Sequence, residues 1–271
     1  MLIISVFLVL FLAAYLWLLM PRMNGRPDHA AFLGRYYAHR GLHDNTSGAP
    51  ENSMAAFRKA VEAGYGIEFD VQLTKDRIPV VFHDETLDRV CGMPGKVREI
   101  TFEELQAFSL CGSGEKIPKL ADFLELVDGR VPLIIEIKIH EDADTVCAAA
   151  DERIRAYKGP YCVESFHPAA MRWYKRNRPE VLRGQLSSDF SKPEKKESTP
   201  QKLVHYLLTN FMCRPDFIAY EHHHRKNISR LICKTLFHPL NVTWVVRSQA
   251  ELDACRKDFD IFIFENFIPK D

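Results

Sequence analysis

Two histidines, three or four carboxylates and two cations fall within about one hundred residues. Their order is His39-Arg40-Gly41, Glu51-Asn52, Glu68-Phe69-Asp70, His83-Asp84 and Glu136-Ile137-Lys138. A cluster of carboxylates suits a hard divalent cation, which prefers oxygen ligands. Histidine, with a reference pKa near 6.5, gives or takes a proton near neutral pH. Arginine and lysine meet an anion. Together these side chains suit reaction at a charged ester whose oxygens must be neutralised while protons move.

Each group lies at or just beyond a short apolar, strand-like run. Tyr36-Tyr37-Ala38 leads into His39, Gly66–Val71 carries the first acidic pair, Ile78–Phe82 leads into His83, and Pro132–Ile139 carries Glu136 and Lys138. Side chains alternate across a strand at about 3.3 Å per residue, so Glu68 and Asp70 share a face roughly 7 Å apart, as do Glu136 and Lys138. Ile67, Phe69 and Val71 then face covering helices. Carboxylates are depleted from strands and rarely buried unpaired. Like charges about 4 Å apart repel by roughly 1 kcal/mol even in water, and by more in a drier site, so an inward acidic set calls for a cation. The expected chemistry is metal-dependent cleavage of a phosphodiester.

Further strands are expected at Tyr161–Phe166, Val181–Leu186, Phe217–Tyr220, Asn241–Val246 and Asp260–Phe264. Helical segments are expected at Asn52–Ala63, Lys119–Asp128, Asp142–Ala156, Pro168–Arg178, Lys202–Asn210 and Gln249–Lys257, with a short capped helix opening at Thr101. Repeated βα units point to an α/β fold, a parallel TIM (β/α)8 barrel over residues 36–271, with an open doubly wound sheet as the alternative. Catalytic groups at strand ends fit the barrel.

The 271 residues hold 36 basic and 36 acidic side chains, so there is no electrostatic footprint for nucleic acid. Seven scattered cysteines form neither a zinc-type pair nor a disulfide framework, which suggests a reducing compartment. Leu2–Met20 is an uncharged run of nineteen residues, close to the roughly 20 needed to cross a bilayer. It is expected as an N-terminal transmembrane anchor over residues 1–21, followed by a juxtamembrane linker over 22–35. A cleaved signal peptide fits less well, because no basic segment precedes the run and no A-x-A site follows it. Arg22, Arg26, Arg35 and Arg40 follow the span, which places the catalytic domain in the cytoplasm by the positive-inside tendency. Tyr15 and Trp17 are candidates for interfacial anchors.

The ordered set His-Arg-Gly, Glu-Asn, Glu-x-Asp-Val, His-Asp and Glu-x-Lys resembles the glycerophosphodiester phosphodiesterase family, from about Tyr37 to Phe264. The resemblance implies a barrel of the phosphatidylinositol-specific phospholipase C-like type that hydrolyses a glycerophosphodiester to an alcohol and sn-glycerol 3-phosphate. It implies that Glu68, Asp70 and Glu136 hold one Mg or Ca ion, that His39 and His83 are the acid/base pair, and that Arg40 and Lys138 contact the phosphate. Glu51 is placed near the site, orienting His39 or Arg40, and Trp244 near the substrate's glycerol portion, either stacking on it or filling the core.

The nucleophile is water or the substrate's own 2-hydroxyl. Two departures stand out from the family pattern, Phe264-Glu265-Asn266-Phe267 after the last strand and Trp244-Val245-Val246-Arg247 near it. Both are read as bearing on substrate choice, away from the metal and histidine motifs. The run Glu221-His222-His223-His224 is read as a solvated loop near the mouth, and Ser187–Gln201 as a flap or a disordered surface loop. A membrane location keeps open a lysophospholipase D acting on membrane lysophospholipids. The competing readings are phospholipase C-type cleavage and a catalytically silent, membrane-tethered phosphoester-binding module.

Overall fold

The computed structural model describes residues 2–191 and 197–270. Nine strands form one sheet: β1 (Tyr36–His39), β2 (Gly66–Leu73), β3 (Pro79–Val81), β4 (Leu133–Ile137), β5 (Tyr161–Ser165), β6 (Leu182–Ser187), β7 (Phe217–Glu221), β8 (Leu240–Val246) and β9 (Ile261–Phe264). β1 pairs in parallel with both β2 and β9, which closes the sheet and excludes the open doubly wound alternative. β3 runs antiparallel to β2, and the other eight strands make the parallel TIM barrel. The Ile78–Phe82 run is therefore no barrel stave. It is the return arm that brings His83 back over the end of β2, with Phe82 N donating to Asp70 O.

Alternation sorts the side chains as expected. Ile67, Phe69, Val71, Ile135 and Ile137 point outward, where Phe57 and Phe123 from the helices Met54–Glu62 and Leu120–Val127 meet Phe69 with ring centroids 6.2 and 4.2 Å away. The barrel's interior is filled by Tyr37, Ile134, Leu182, Phe217, Val242, Ile261 and their neighbours, plugged from below by Phe32. The same residue parity that puts Ile134 into this plug puts Glu68, Asp70 and Glu136 into the interior nearer the carboxyl ends of the strands. Fully burying Phe69 or Ile135 stabilises the fold by about 1.5–3 kcal/mol each, and this offsets the cost of holding charge inside.

Two helical expectations shift. The segment expected at Lys202–Asn210 divides into Thr199–His205, started by a Ser198/Gln201 capping box, and Asn210–Cys213. Leu207 breaks it with a φ of 56°. A helix at Ile228–Phe237, capped by Asn227, lies between β7 and β8 where no helix was expected. The region read as a flap over Ser187–Gln201 falls partly outside the described residues.

The N-terminal run forms a helix, Leu2–Leu19, but the expectation of a transmembrane span is not met: among the described residues no helix is long and apolar enough to cross a membrane. Its last turn is occupied by the barrel. Leu19 is fully buried, Tyr15 Oη lies 2.8 Å from Ser229 Oγ, and Asn210 Nδ2 donates to Leu19 O at 2.8 Å. Arg214 caps the helix end through Trp17 O and Met20 O and covers the Trp17 ring, so Tyr15 and Trp17 serve protein packing. The exposed apolar stretch from Ile3 to Leu12 is about 15 Å long at 1.5 Å per residue, half a bilayer core.

Candidate active site

The His-Arg-Gly turn ends β1 with two successive left-handed residues, Arg40 at φ 55° and Gly41 at φ 84°. A Cβ on Gly41 would lie 2.9 Å from Ala56 C, so the turn can press on the following helix only as glycine. It turns Arg40 across the top of β2, where Arg40 Nη1 donates to Glu51 Oε1 at 2.6 Å and Nε lies 3.5 Å from Asp70 Oδ2. Asn52 N donates to Arg40 O, and Asn52 Nδ2 donates to Asp70 Oδ2 at 2.9 Å. The Glu-Asn motif is thus a brace for Arg40 and Asp70. Glu51's oxygens are taken by Arg40, Arg89 and Asn45, which hold its carboxyl down at about 2 against the pull of burial.

The barrel register sets Asp70 beside Glu136 and Glu136 beside Glu164. Glu68, Asp70 and Glu136 are buried and offer carboxylate oxygens all within 4.8 Å of one another. Lys138 Nζ reaches Glu136 Oε2 at 2.7 Å and Asp70 Oδ1 at 3.0 Å. Burial would raise Asp70, but Lys138, His83 and Arg40 together hold it well below the ordinary carboxylate range. Glu68 is pushed well up by burial and by the charges of Asp70, Glu164 and Glu136, and its Oε2 has no hydrogen-bond partner. Glu164 is likewise pushed up by burial and Glu136, and its Oε2 is also without a partner. Four buried acids face two cations. Such an oxygen-rich, under-neutralised set could hold a hard divalent cation, and Glu68, Asp70 and Glu136 are the candidate ligands.

Both histidines are aimed by carboxylates. His39 Nδ1 lies 2.5 Å from Glu265 Oε2, while its Nε2 points inward, 3.8 Å from Glu68 Oε2. His83 Nδ1 lies 2.5 Å from Asp84 Oδ1, and Asp84 is held in turn by Arg89. A carboxylate on Nδ1 fixes the proton there and leaves Nε2 for substrate. Burial and Arg40 lower His39 to about 4, opposed by Glu265. A cavity of about 130 Å³ collects His39, Arg40, Glu68, His83, Glu136 and Trp244. Trp244 meets Phe166 edge-on with centroids 5.4 Å apart, and its indole Nε1 is buried without a partner.

The two departures read as remote are at the centre. Glu265 holds His39, lies 3.7 Å from His43 Nε2, and accepts from Arg247 Nε at 2.7 Å. The cause is barrel closure: Ala38 pairs with Phe264, so the residues that follow, His39 and Glu265, leave the sheet side by side. That adjacency was inferable from an eight-stranded closed barrel. Arg89 and Glu164 are further site residues that the motifs left out, and Asp84, inside the His83-Asp84 motif, is the carboxylate that holds His83. In the histidine tract, His223 is exposed and His224 half-buried, but His222 is buried at 3% exposure beneath Glu251, 3.5 Å away, and is not a solvated loop residue.

Comparison with known proteins agrees with this arrangement. The profile of the glycerophosphoryl diester phosphodiesterase family matches residues 39–221. A glycerophosphodiester phosphodiesterase of Caldanaerobacter subterraneus subsp. tengcongensis is 35% identical over 161 residues, which are 55% of this chain and 65% of that protein. The human glycerophosphodiester phosphodiesterase 1 is 35% identical over 114 residues, 38% of this chain and 33% of that protein. The chain thus aligns with less than two thirds of either relative's length. An Oleispira antarctica phosphodiesterase, solved with the product sn-glycerol-3-phosphate, shares the fold with a TM-score of 0.68 at 24% identity, covering 86% of this chain and 93% of that one. The family profile spans the His-Arg-Gly turn, the acidic strands and the His83 return arm alike, and the chain belongs to the glycerophosphoryl diester phosphodiesterase family.

Proposed function

We propose that this protein hydrolyses a glycerophosphodiester to an alcohol and sn-glycerol 3-phosphate with the help of a divalent cation. The observation that carries this reading is the pair of histidines, each held by a carboxylate at Nδ1, lining one cavity with Arg40 and the buried acids Glu68 and Glu136, whose carboxylates lie close to that of Asp70. Arg40 and Lys138 neutralise the phosphate oxygens and the charge that builds on them in the transition state. Glu51 fixes Arg40 against Asp70's side of the cavity, and Trp244 offers an apolar wall to the glycerol. One histidine takes the nucleophile's proton at Nε2 and the other gives a proton to the departing oxygen, a contribution of about 10² to 10⁴ in rate. Glu68, Asp70 and Glu136 would hold a cation of the Mg or Ca type, which would supply Lewis-acid chemistry at the phosphoryl group.

The test is hydrolysis of glycerophosphocholine after chelation, with Mg or Ca titrated back and the phosphorus product identified by NMR. Glycerol 3-phosphate that appears only with added cation is the expected result, and a transient cyclic phosphate would mark the 2-hydroxyl as nucleophile. Phosphocholine as product would replace this reading with phospholipase C-type cleavage, and binding without turnover with a silent module. A His39→Ala or His83→Ala variant that keeps most of its turnover would sink the paired-histidine scheme.

We further propose that the exposed apolar turns around Phe7 and Phe11 rest in a lipid surface, with the barrel on the cytoplasmic side, where seven free cysteines stay reduced. Flotation with lipid vesicles tests the contact and thiol labelling of intact cells tests the side. A chain that stays in the dense fraction, or cysteines labelled from outside, would refute each in turn.

A further inference from the structure

The histidine tract after β7 holds a group of candidate ligands apart from the acidic site. Register in the barrel sets Glu221 beside Trp244, so the chain leaves β7 into His222–His224 next to the end of β8 and the start of the helix Gln249–Cys255. The side chains of His222, His223 and Glu251 converge there, each with one ligand atom within 4.8 Å of the others. His222 Nε2 lies 3.5 Å from Glu251 Oε2, and the rings of His222 and His223 have centroids 3.9 Å apart. His222 is almost wholly buried, and both of its ring nitrogens are without a hydrogen-bond partner. The Trp244 backbone attracts the ring without closing a bond of ordinary geometry. An imidazole buried in this way is costly, because buried polar groups are nearly always met by a partner. The partner here must suit two imidazoles and one carboxylate. Imidazole favours zinc and its neighbours, whereas Mg and Ca take oxygen, so this set differs in kind from Glu68, Asp70 and Glu136. Bonds of about 2.0–2.2 Å in a tetrahedral shell set ligand atoms roughly 3.3–3.6 Å apart, and the His222–Glu251 distance of 3.5 Å already meets that.

We propose that His222, His223 and Glu251 form a second metal site, for a borderline divalent transition ion of the zinc type. Two neutral imidazoles and one carboxylate leave such an ion one positive charge and one open tetrahedral position. His224 stands outside the set, turned toward Asp189 and Glu221 at 3.7 and 3.8 Å. The ion would staple the loop after β7 to the helix after β8. Glu251 Oε2 also accepts from Arg247 N at 2.7 Å, and Arg247 Nε donates to Glu265, so the staple lies against the residues that aim His39. The proposal does not depend on the phosphodiesterase reading.

The experiment is calorimetric titration of the chelated full chain with zinc chloride, in a buffer with excess Mg to compete at the acidic site. One zinc ion per chain is expected at this site. Its affinity should be at least about tenfold weaker in Glu251→Gln and in His223→Ala, since even the loss of a supporting group around a metal costs about that much, and unchanged in Glu68→Gln. His223 is exposed, so its replacement leaves the packing of the barrel untouched. With free zinc at about one hundred times Kd, the melting temperature of the wild-type chain should rise by about 5 °C, and by less in both variants. Zinc affinity that either variant leaves unchanged overturns the three-residue site. So does a loss of zinc affinity in Glu68→Gln, which would move the ion to the acidic strands, or a chain that binds no zinc. The phosphodiesterase reading stands in each case, because it rests on other residues.

Discussion

Replacing Glu265 with Gln removes one charge and leaves the shape of the side chain nearly unchanged. In the protein the carboxylate lies 2.5 Å from His39 Nδ1 and accepts from Arg247 Nε at 2.7 Å. Burial and Arg40 both disfavour the protonated imidazole, and Glu265 opposes them. A hydrogen bond to a charged group contributes about 1.5–3 kcal/mol, which is roughly 10- to 150-fold in rate if it forms fully only as His39 takes its proton. A glutamine can also present its amide N–H to Nδ1, which puts the ring proton on Nε2 and removes the base. The loss of the corresponding carboxylate in a serine protease triad costs about 10⁴ for that reason. Glu265→Gln is therefore expected to lower kcat for a glycerophosphodiester at least about 100-fold with KM little changed. Proton NMR of the His39 ring should show the tautomer change. A variant with more than half of normal turnover, or one whose kcat falls while the Nδ1 proton stays in place, would refute the orienting role.

Glu68→Gln should weaken binding of Mg or Ca by at least tenfold, read by calorimetry, because it removes a holder whose buried oxygen has no other partner. An unchanged affinity would move the ion elsewhere. Glu51, held near 2 in the folded chain against an ordinary 4.5, contributes stability that is present above about pH 4.5 and is lost as pH falls through about 2. The shift corresponds to about 3 kcal/mol, or about 2 once the half-exposed Arg89 partner is discounted for solvent screening. The urea midpoint of wild type should thus fall further than that of Glu51→Gln between pH 7 and pH 3, and parallel losses would remove the assignment. Leu19→Ala empties a fully buried position where the N-terminal helix meets the barrel and should cost about 2–5 kcal/mol, seen as a lower denaturation midpoint. An unaffected midpoint would mean the helix end is not seated there in solution.

Most of the barrel was legible because its signals are local. A two-residue period placed Glu68 and Asp70 on one side of β2 and Phe69 on the other, and apolar runs marked all eight staves to within about two residues. The strand signal of Ile78–Phe82 was equally clear, but a run of apolar residues does not state its direction, so the antiparallel return of β3 escaped notice. Pairings across the closed sheet were harder. Glu164 sits in an ordinary strand and becomes a site residue only through its register with Glu136, and Glu265 only through the meeting of first and last strands. The N-terminal run announced its hydrophobicity correctly, yet whether an apolar helix ends in lipid or on its own barrel depends on Asn210, Ser229 and Arg214, more than 190 residues away. His222 was hidden by its neighbours, since three consecutive histidines look polar whichever one of them turns inward.

The bond between His39 and Glu265 joins residues 226 positions apart in sequence and exists only when β9 has zipped against β1. A chain still emerging from the ribosome, or one folded through β8, already holds every acid of the candidate metal site and both imidazoles. It lacks the carboxylate that points the first of them. On the proposed function, competence to cut is thereby a report on completion of the fold, and a half-built barrel would be a poor hydrolase. Sealing the barrel and arming the site are one event.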